Sequence, residues 1–114
     1  MLKSGLIILF LSLISYSFYY KFISNKNLEV QITKPDKNLI EKASKWPIWE
    51  KEISEFDYYY DKIEQCYILE GDVDIITPKK TWSFKGGDFV VFPKGLKCKW
   101  KIKKNVRKHY NFIK

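Results

Sequence analysis

The chain has 114 residues, of which 46% are hydrophobic and 18% aromatic, enough for one small core and too few for a second domain. Its net charge of +8 comes almost entirely from lysine, with Arg107 as the single arginine, and recognition of bases and phosphates relies on the forked guanidinium group. The charge therefore argues against nucleic acid as a partner. Two cysteines without a Cys-x-x-Cys or Cys/His cluster exclude a disulfide-rich scaffold and a structural zinc site.

An uncharged, apolar segment lies between Lys3 and Lys21 and ends in a cluster of tyrosine and phenylalanine residues. A helix of about 17 residues is roughly 25 Å long, slightly shorter than the hydrocarbon core of a bilayer. The flanking lysine side chains are long enough to reach the membrane surface. Residues 1–23 are therefore predicted to form a membrane helix. The alternative is a secretory signal that is cleaved. Bulky aromatic residues stand where small residues would precede a cleavage site, which favours a retained anchor.

Lysines flank this segment unequally, because Lys3 precedes it whereas Lys21, Lys26, Lys34 and Lys37 follow it. The positive-inside rule then places the following domain in the cytoplasm, where its thiols would stay reduced. The prediction is a single-pass membrane protein with a cytoplasmic domain. Cleavage of a signal would instead give a secreted protein.

A polar linker at residues 24–29 leads into the predicted domain at residues 30–114. A first short strand is expected near residues 30–33. Asn38 followed three residues later by Glu41 predicts an N-cap and one or two helical turns. The remainder of the chain has the pattern of β-strands.

Strict alternation of apolar and polar residues marks the half-buried strands. Cys98, Trp100 and Ile102 alternate with lysines, and Glu64 alternates in the same way with Cys66. Glu64 is therefore predicted to point inward beside Cys66, and Cys98 to point inward on its own strand.

Residues 89–92 are apolar on both faces of a predicted strand. One face is expected to meet the interior and the other the N-terminal segment or a partner subunit, so a homodimer is a candidate assembly. The lysine-rich run at residues 97–108 predicts a solvated face. His109, the lone histidine, lies beyond the regular alternation and is expected at the surface or at an edge, not in a catalytic role.

Two spaced patterns stand out in the second half of the chain. In the first, Glu64 precedes Gly71 by seven positions. In the second, Gly87, Pro93 and Gly95 form the pattern G-x5-P-x-G. Glycine permits tight turns between antiparallel strands, and proline fixes a bend. In these motifs the chain resembles the cupin family. The resemblance implies an all-β fold, an RmlC-like jelly roll or antiparallel β-barrel, here preceded by one N-terminal hydrophobic helix.

Within the cupins, the chain is most similar to the small single-domain members. The segments that carry this similarity are residues 46–49, 64–71 and 106–110. These small members are similar to the cupin domains of (S)-ureidoglycine aminohydrolase and of the ethanolamine-utilisation cupin. The ureidoglycine enzyme uses a histidine-containing manganese site, which this chain does not reproduce.

The histidines of the cupin motifs are replaced in this chain. The first two fall on Tyr58 and Tyr60 or, with a spacer one residue longer, on Asp57 and Tyr59. The histidine of the second motif falls on Cys98, so that Glu64 alone remains of the expected ligands. A divalent metal usually takes three or more protein ligands, commonly imidazole and carboxylate. Glu64 and Cys98 are the remaining candidate metal ligands, and the sequence leaves open whether a divalent metal or another cofactor binds.

An inward carboxylate in apolar surroundings is costly unless a cation or hydroxyl group meets it, which makes Glu64 the candidate catalytic residue. The alternative is that tyrosine hydroxyls hold Glu64 as a structural hydrogen-bond centre. The first functional hypothesis is a membrane-anchored protein that binds a small molecule in the barrel. Its candidate ligand-binding residues are Tyr58, Tyr60, Cys66, Cys98 and Trp100. The second is an enzyme of the ureidoglycine aminohydrolase-like group, with or without metal, that uses Glu64 as acid or base.

Overall fold

The computed structural model describes residues 28–114, which contain seven strands and one short helix. In chain order these elements are β1 (Gln31–Thr33), α1 (Lys37–Ala43), β2 (Ile48–Lys51), β3 (Ser54–Tyr59), β4 (Ile63–Ile76), β5 (Thr81–Lys85), β6 (Phe89–Phe92) and β7 (Lys97–Ile113). The predicted membrane helix at residues 1–23 and most of the predicted linker lie outside the described residues. Within residues 28–114, every helix is too short or too polar to cross a membrane.

The strands form one antiparallel sheet in the order β1-β6-β4-β7-β2, with β3 also paired to β7 and β5 to β4. The long strands β4 and β7 pair from Ile63 opposite Ile113 to Ile76 opposite Lys99. The antiparallel β fold is therefore confirmed. Closure into a barrel is not, because the three-residue β1 and the four-residue β2 end the ladder at its two edges in the described part of the chain.

The segment before β2 supplies the short helix and covers one side of the sheet. Helix α1 begins after Asp36, whose carboxylate accepts a hydrogen bond of 2.8 Å from the Leu39 backbone N–H, so the expected N-cap at Asn38 is wrong by two residues. Beyond the helix, the Trp46 ring lies 6.2 Å from the Phe89 ring of β6. The chain itself thus packs against this two-faced strand, and the homodimer stays a prediction.

The buried positions of β4 change parity along the strand. Glu64, Cys66 and Ile68 are buried in the first half, whereas Val73 and Ile75 are buried in the second. The pairing of β4 with β7 shifts register between Ile68 and Val73. A bulge of this kind moves alternate side chains to the other face of a strand. The bulge therefore allows β4 to contribute even-numbered residues to the core before it and odd-numbered residues after it.

Strand β7 confirms the predicted alternation, because Cys98, Trp100 and Ile102 are buried between exposed lysines. The buried series resumes at Val106 and Lys108 after the irregular stretch. The buried side chains of the core come from the four strands β4, β5, β6 and β7, and from Val30, Tyr60 and Leu96 in the segments between strands. Its largest members include Ile68, Val73, Ile75, Val90, Phe92, Leu96, Trp100 and Ile102.

Two glycines allow a test of the bulge. Both Gly71 and Gly87 have positive φ, but a Cβ at Gly71 would lie 2.9 Å from Val106 Cγ2, whereas a Cβ at Gly87 would meet no atom within 4 Å. We expect Gly87→Ala to lower the free energy of unfolding by about 1–2 kcal/mol through backbone strain alone. Gly71→Ala should be less stable again, since contact with Val106 adds to the strain. Urea denaturation of both variants measures the difference, and equal losses would contradict the crowding at Gly71.

Candidate functional site

A cavity of about 190 Å³ lies among β2, β3, β4 and β7 on the buried side of the sheet. Its walls are mostly aromatic, and its lining carries one carboxylate and one ammonium group. The lining residues are Trp49, Phe56, Tyr58, Tyr60, Glu64, Trp100, Lys108, Tyr110 and Phe112.

Strand register brings the two charged groups of the cavity together. Glu64 lies opposite Phe112 on β7, whereas Lys108 lies opposite Ile68, four residues further along β4. These positions share the buried face, and a lysine side chain is long enough to reach diagonally across the strand pair. The Lys108 side chain therefore passes Cys66 and ends at Glu64.

Both oxygens of the Glu64 carboxylate accept hydrogen bonds. Lys108 Nζ donates to Oε2 over 3.0 Å, and the Tyr60 hydroxyl donates to Oε1 over 2.9 Å. The Tyr60 oxygen in turn accepts a bond of 3.2 Å from Trp100 Nε1. Glu64 and Lys108 are each 4% exposed, so this is a buried ion pair supported by a chain of hydrogen bonds.

Two indole rings and a sulfur atom complete the surroundings of the Lys108 ammonium group. Its Nζ lies 4.8 Å from the ring centroid of Trp49 and 4.7 Å from that of Trp100. These are distances at which a cation is attracted to the face of an aromatic ring. Nζ also donates to Cys66 Sγ over 3.4 Å. The ammonium group is thus held from several directions.

The protonation of these groups follows from their surroundings. Burial lowers the pKa of Lys108, but the Glu64 charge and the hydrogen bonds to Glu64 and Cys66 outweigh burial, so the net pKa lies above the usual value. Burial, followed by the Glu64 charge, raises the pKa of Tyr60 well above its usual value. Burial likewise raises the pKa of the Cys66 thiol and brings that of Cys98 to about 12. At neutral pH the lysine is charged, while the phenol and both thiols keep their protons.

The structure brings together four of the residues singled out from the sequence: Tyr58, Tyr60, Glu64 and Trp100 all line the cavity. Tyr59 is 54% exposed, so the spacing that aligns Tyr58 and Tyr60 with the motif histidines fits the geometry better than the longer spacer.

The two cysteines are free and buried, and neither lines this cavity. Cys66 lies behind the Lys108 ammonium, whereas Cys98 lines a separate surface hollow with Asp57 and Tyr59. The sequence thus placed both cysteines on the buried face without separating their surroundings.

Lys108 is the residue of the candidate site that the sequence interpretation missed. The expectation that residues 97–108 form a solvated face holds for the lysines before the irregular stretch and is wrong for Lys108. One signal in the sequence was available: Lys108 lies an even number of positions after Cys98, Trp100 and Ile102, so regular alternation would place it on the same buried face. The expected surface position of His109 is also wrong, because His109 is 9% exposed and its Nδ1 lies 2.8 Å from the Trp46 carbonyl oxygen.

The residues around Glu64 do not fit the divalent metal implied by the resemblance to cupins. Within residues 28–114, no three His, Cys, Asp or Glu side chains come together in a group able to hold a metal ion. The space beside the Glu64 carboxylate holds the Lys108 ammonium, and the Tyr60 phenol keeps its proton. A buried dication would meet one carboxylate and one like charge, an unfavourable arrangement away from water.

An antiparallel sheet with a cavity among its strands is the architecture of jelly-roll proteins, a class to which the cupins belong. The family model described as the EutQ-like cupin domain matches residues 40–110, most of the described part of the chain. The chain belongs to this family, as the sequence motifs predicted.

Solved structures give the same assignment. A DUF861-family protein from Thermotoga maritima is 53% identical with a TM-score of 0.72, and the match covers 75% of this chain and all of that one. The EutQ protein of Clostridium difficile is 22% identical with a TM-score of 0.54, covering 77% of this chain and 70% of that one. A putative ethanolamine utilization protein Q from Salmonella typhimurium is 20% identical with a TM-score of 0.52, covering 73% and 68%. The last two share the fold. No curated protein matches the chain.

The buried ion pair predicts non-additive effects on stability. Lys108→Met leaves the Glu64 charge buried without a counter-ion and should cost about 3–5 kcal/mol of unfolding free energy. Lys108→Met combined with Glu64→Gln should cost less than Lys108→Met alone, because no unpaired charge remains. Lys101→Met, which removes an exposed lysine 4.0 Å from Glu55, is the matched control and should cost at most about 1 kcal/mol. Denaturant unfolding of these three variants and of Glu64→Gln alone checks the prediction, and simple additivity of the two site substitutions would contradict the coupling.

The raised pKa values predict a loss of stability at alkaline pH. Cys66, Cys98, Tyr60 and Lys108 have folded-state pKa values above their unfolded ones, so their contribution is complete below pH 9 and declines as the pH rises further. Each group that stays protonated only when folded lowers the unfolding free energy by about 1.4 kcal/mol per pH unit.

The thiols titrate first in the unfolded chain, with a usual pKa of 9.0. A variant with Cys66→Ala and Cys98→Ala should therefore show a shallower decline from pH 9 to pH 10 than the wild type. Urea unfolding at a series of pH values gives both slopes. Equal slopes would contradict the raised thiol pKa values.

Proposed function

We propose that the protein is a small-molecule-binding cupin, held at a membrane by residues 1–23 with its domain in the cytoplasm. The aromatic cavity over the buried Glu64–Lys108 pair is the observation that carries the binding proposal. Such cavities, apolar with a few convergent polar groups, are the usual form of a small-molecule site.

The size and lining of the cavity describe the ligand class. An enclosed space of about 150 Å³ accommodates a benzene-sized molecule, so about 190 Å³ suits a slightly larger one. Aromatic walls favour a flat or apolar body, and Trp49, Phe56 and Tyr110 supply them. The phenols and the ion pair supply donors and acceptors for one polar end of the ligand.

Binding has more support than catalysis by Glu64. Glu64 accepts hydrogen bonds from Lys108 and Tyr60, and taking a proton from a substrate would leave the buried Lys108 ammonium without a counter-ion. The neighbouring candidate nucleophiles hold their protons at neutral pH, since the pKa of the Cys66 thiol and that of Lys108 are both raised. The arrangement therefore suits a rigid recognition surface better than proton transfer.

The proposed anchor rests on the uncharged run between Lys3 and Lys21 and on the lysine excess after it. A tether of this kind would hold the binding domain close to the membrane. Resistance of the full-length protein to alkaline carbonate extraction, and protection of the domain from external protease, would support the proposed orientation.

The binding proposal is tested on the full-length protein. Native mass spectrometry of the purified chain, followed by release of any bound compound and a fluorescence-monitored screen of small aromatic and carbonyl compounds, should identify a ligand. Tyr58→Ala and Phe112→Ala remove half-exposed residues at the cavity wall and should each weaken binding at least tenfold, or about 1.4 kcal/mol.

Tyr59→Ala is the matched control, because Tyr59 lies next to Tyr58 on β3 but outside the cavity lining. It should bind the ligand as the wild type does. Equal loss in Tyr58→Ala and Tyr59→Ala, or binding unaffected by either wall substitution, would place the ligand elsewhere.

A further inference from the structure

Glu64 forms an ion pair with Lys108 at the position where the cupin motif has a metal ligand. The motif spacing puts Glu64 at the carboxylate-ligand position, and the structure puts Lys108 Nζ 3.0 Å from its Oε2. Tyr58 and Tyr60, which take the places of the motif histidines, line the same cavity. Carboxylate, ammonium and phenols thus occupy one site that resembles a metal centre in its layout.

The ammonium group is fixed within this site and is not a chance contact of a flexible side chain. Lys108 is 4% exposed, and its Nζ has a carboxylate, a thiol and two indole faces around it. A lysine gives up much rotamer freedom on such burial, and the contacts must outweigh that loss. Removing the ammonium to admit another cation would forfeit all of them.

The balance of charge in the cavity also argues against a second cation beside Glu64. Glu64 is the only acidic residue that lines the cavity in the part of the chain that the structure describes. One carboxylate and one ammonium leave the site neutral, whereas adding a dication would leave an excess of two positive charges away from water. Among the facing groups, the Tyr60 hydroxyl already donates its proton to Glu64, and the Cys66 sulfur already accepts a hydrogen bond from Lys108.

We infer that the Lys108 side chain takes the place of the metal ion, so that this cupin carries its site cation within its own chain and binds no divalent metal at Glu64. The ammonium then supplies what a bound ion would supply electrostatically, a fixed positive charge at the floor of the cavity. The inference concerns that charge and holds whether or not the cavity takes a ligand, so a failed ligand screen leaves it standing.

A metal titration of the tag-free, full-length wild type tests the first half of the inference. Equilibrium dialysis against micromolar Mn²⁺, Zn²⁺ or Ni²⁺, with elemental analysis of the protein, should give far less than one ion per chain. About one ion per chain in the wild type and none in Glu64→Gln would overturn the inference. This measurement needs no substitution of Lys108 and decides the matter even if Lys108 variants do not fold.

Chemical rescue tests the second half. Lys108→Ala removes the ammonium and leaves space beside Glu64, which free propylammonium matches in length and charge. Millimolar propylammonium should raise the melting temperature of Lys108→Ala by roughly 4–8 °C, the shift expected from recovery of part of the pair in a domain of this size.

The neutral analogue 1-propanol should give no such shift. Wild type and Lys101→Ala, whose lysine is exposed, are the matched controls and should respond equally little to propylammonium. A rise shared by all three proteins, or no rise in folded Lys108→Ala, would overturn the assignment of the ammonium as the site cation.

Discussion

The ion pair between Glu64 and Lys108 is the constraint on which the interior depends. Removing two charges from water is costly, and attraction between them offsets that cost only when the remaining hydrogen-bonding capacity is also used. Here Tyr60 donates to the second carboxylate oxygen, while Cys66 and two indole rings surround the ammonium. No buried side-chain nitrogen or oxygen in residues 28–114 lacks a partner.

Trp100 links this polar centre to the apolar core. Its indole N–H donates to Tyr60, its face lies near the Lys108 ammonium, and its ring stacks on Phe56 at 5.9 Å and on Phe92 at 5.4 Å. Rings in such contacts have little freedom to move, because interiors are close-packed. The same side chain therefore belongs to the cavity wall and to the packing that keeps the wall in place.

The sequence predicted more of the fold than of the candidate site. Gly87, Pro93 and Gly95 lie in the connections on either side of β6, and local alternation marks the buried face of Cys98, Trp100 and Ile102, so this part of the antiparallel sheet followed from short-range patterns. Gly71 instead lies at the irregularity within β4. The position of Lys108 has the parity of the buried residues of β7, but parity alone does not distinguish a buried lysine from its exposed neighbours, and its partner Glu64 is 44 residues away. Which buried charge meets which is decided by strand register, and register is a long-range property.

The bulge in the middle of β4 also bears on how such a domain can change over time. On one side of it, even-numbered residues from Glu64 to Ile68 face inward. On the other side, Val73 and Ile75 do. Because the irregularity separates two runs of inward side chains, a substitution within one run does not change which residues of the other run face inward. Trp100, which lines the cavity, pairs with Ile75 beyond the bulge, so the cavity wall is built from both parts of the strand pair.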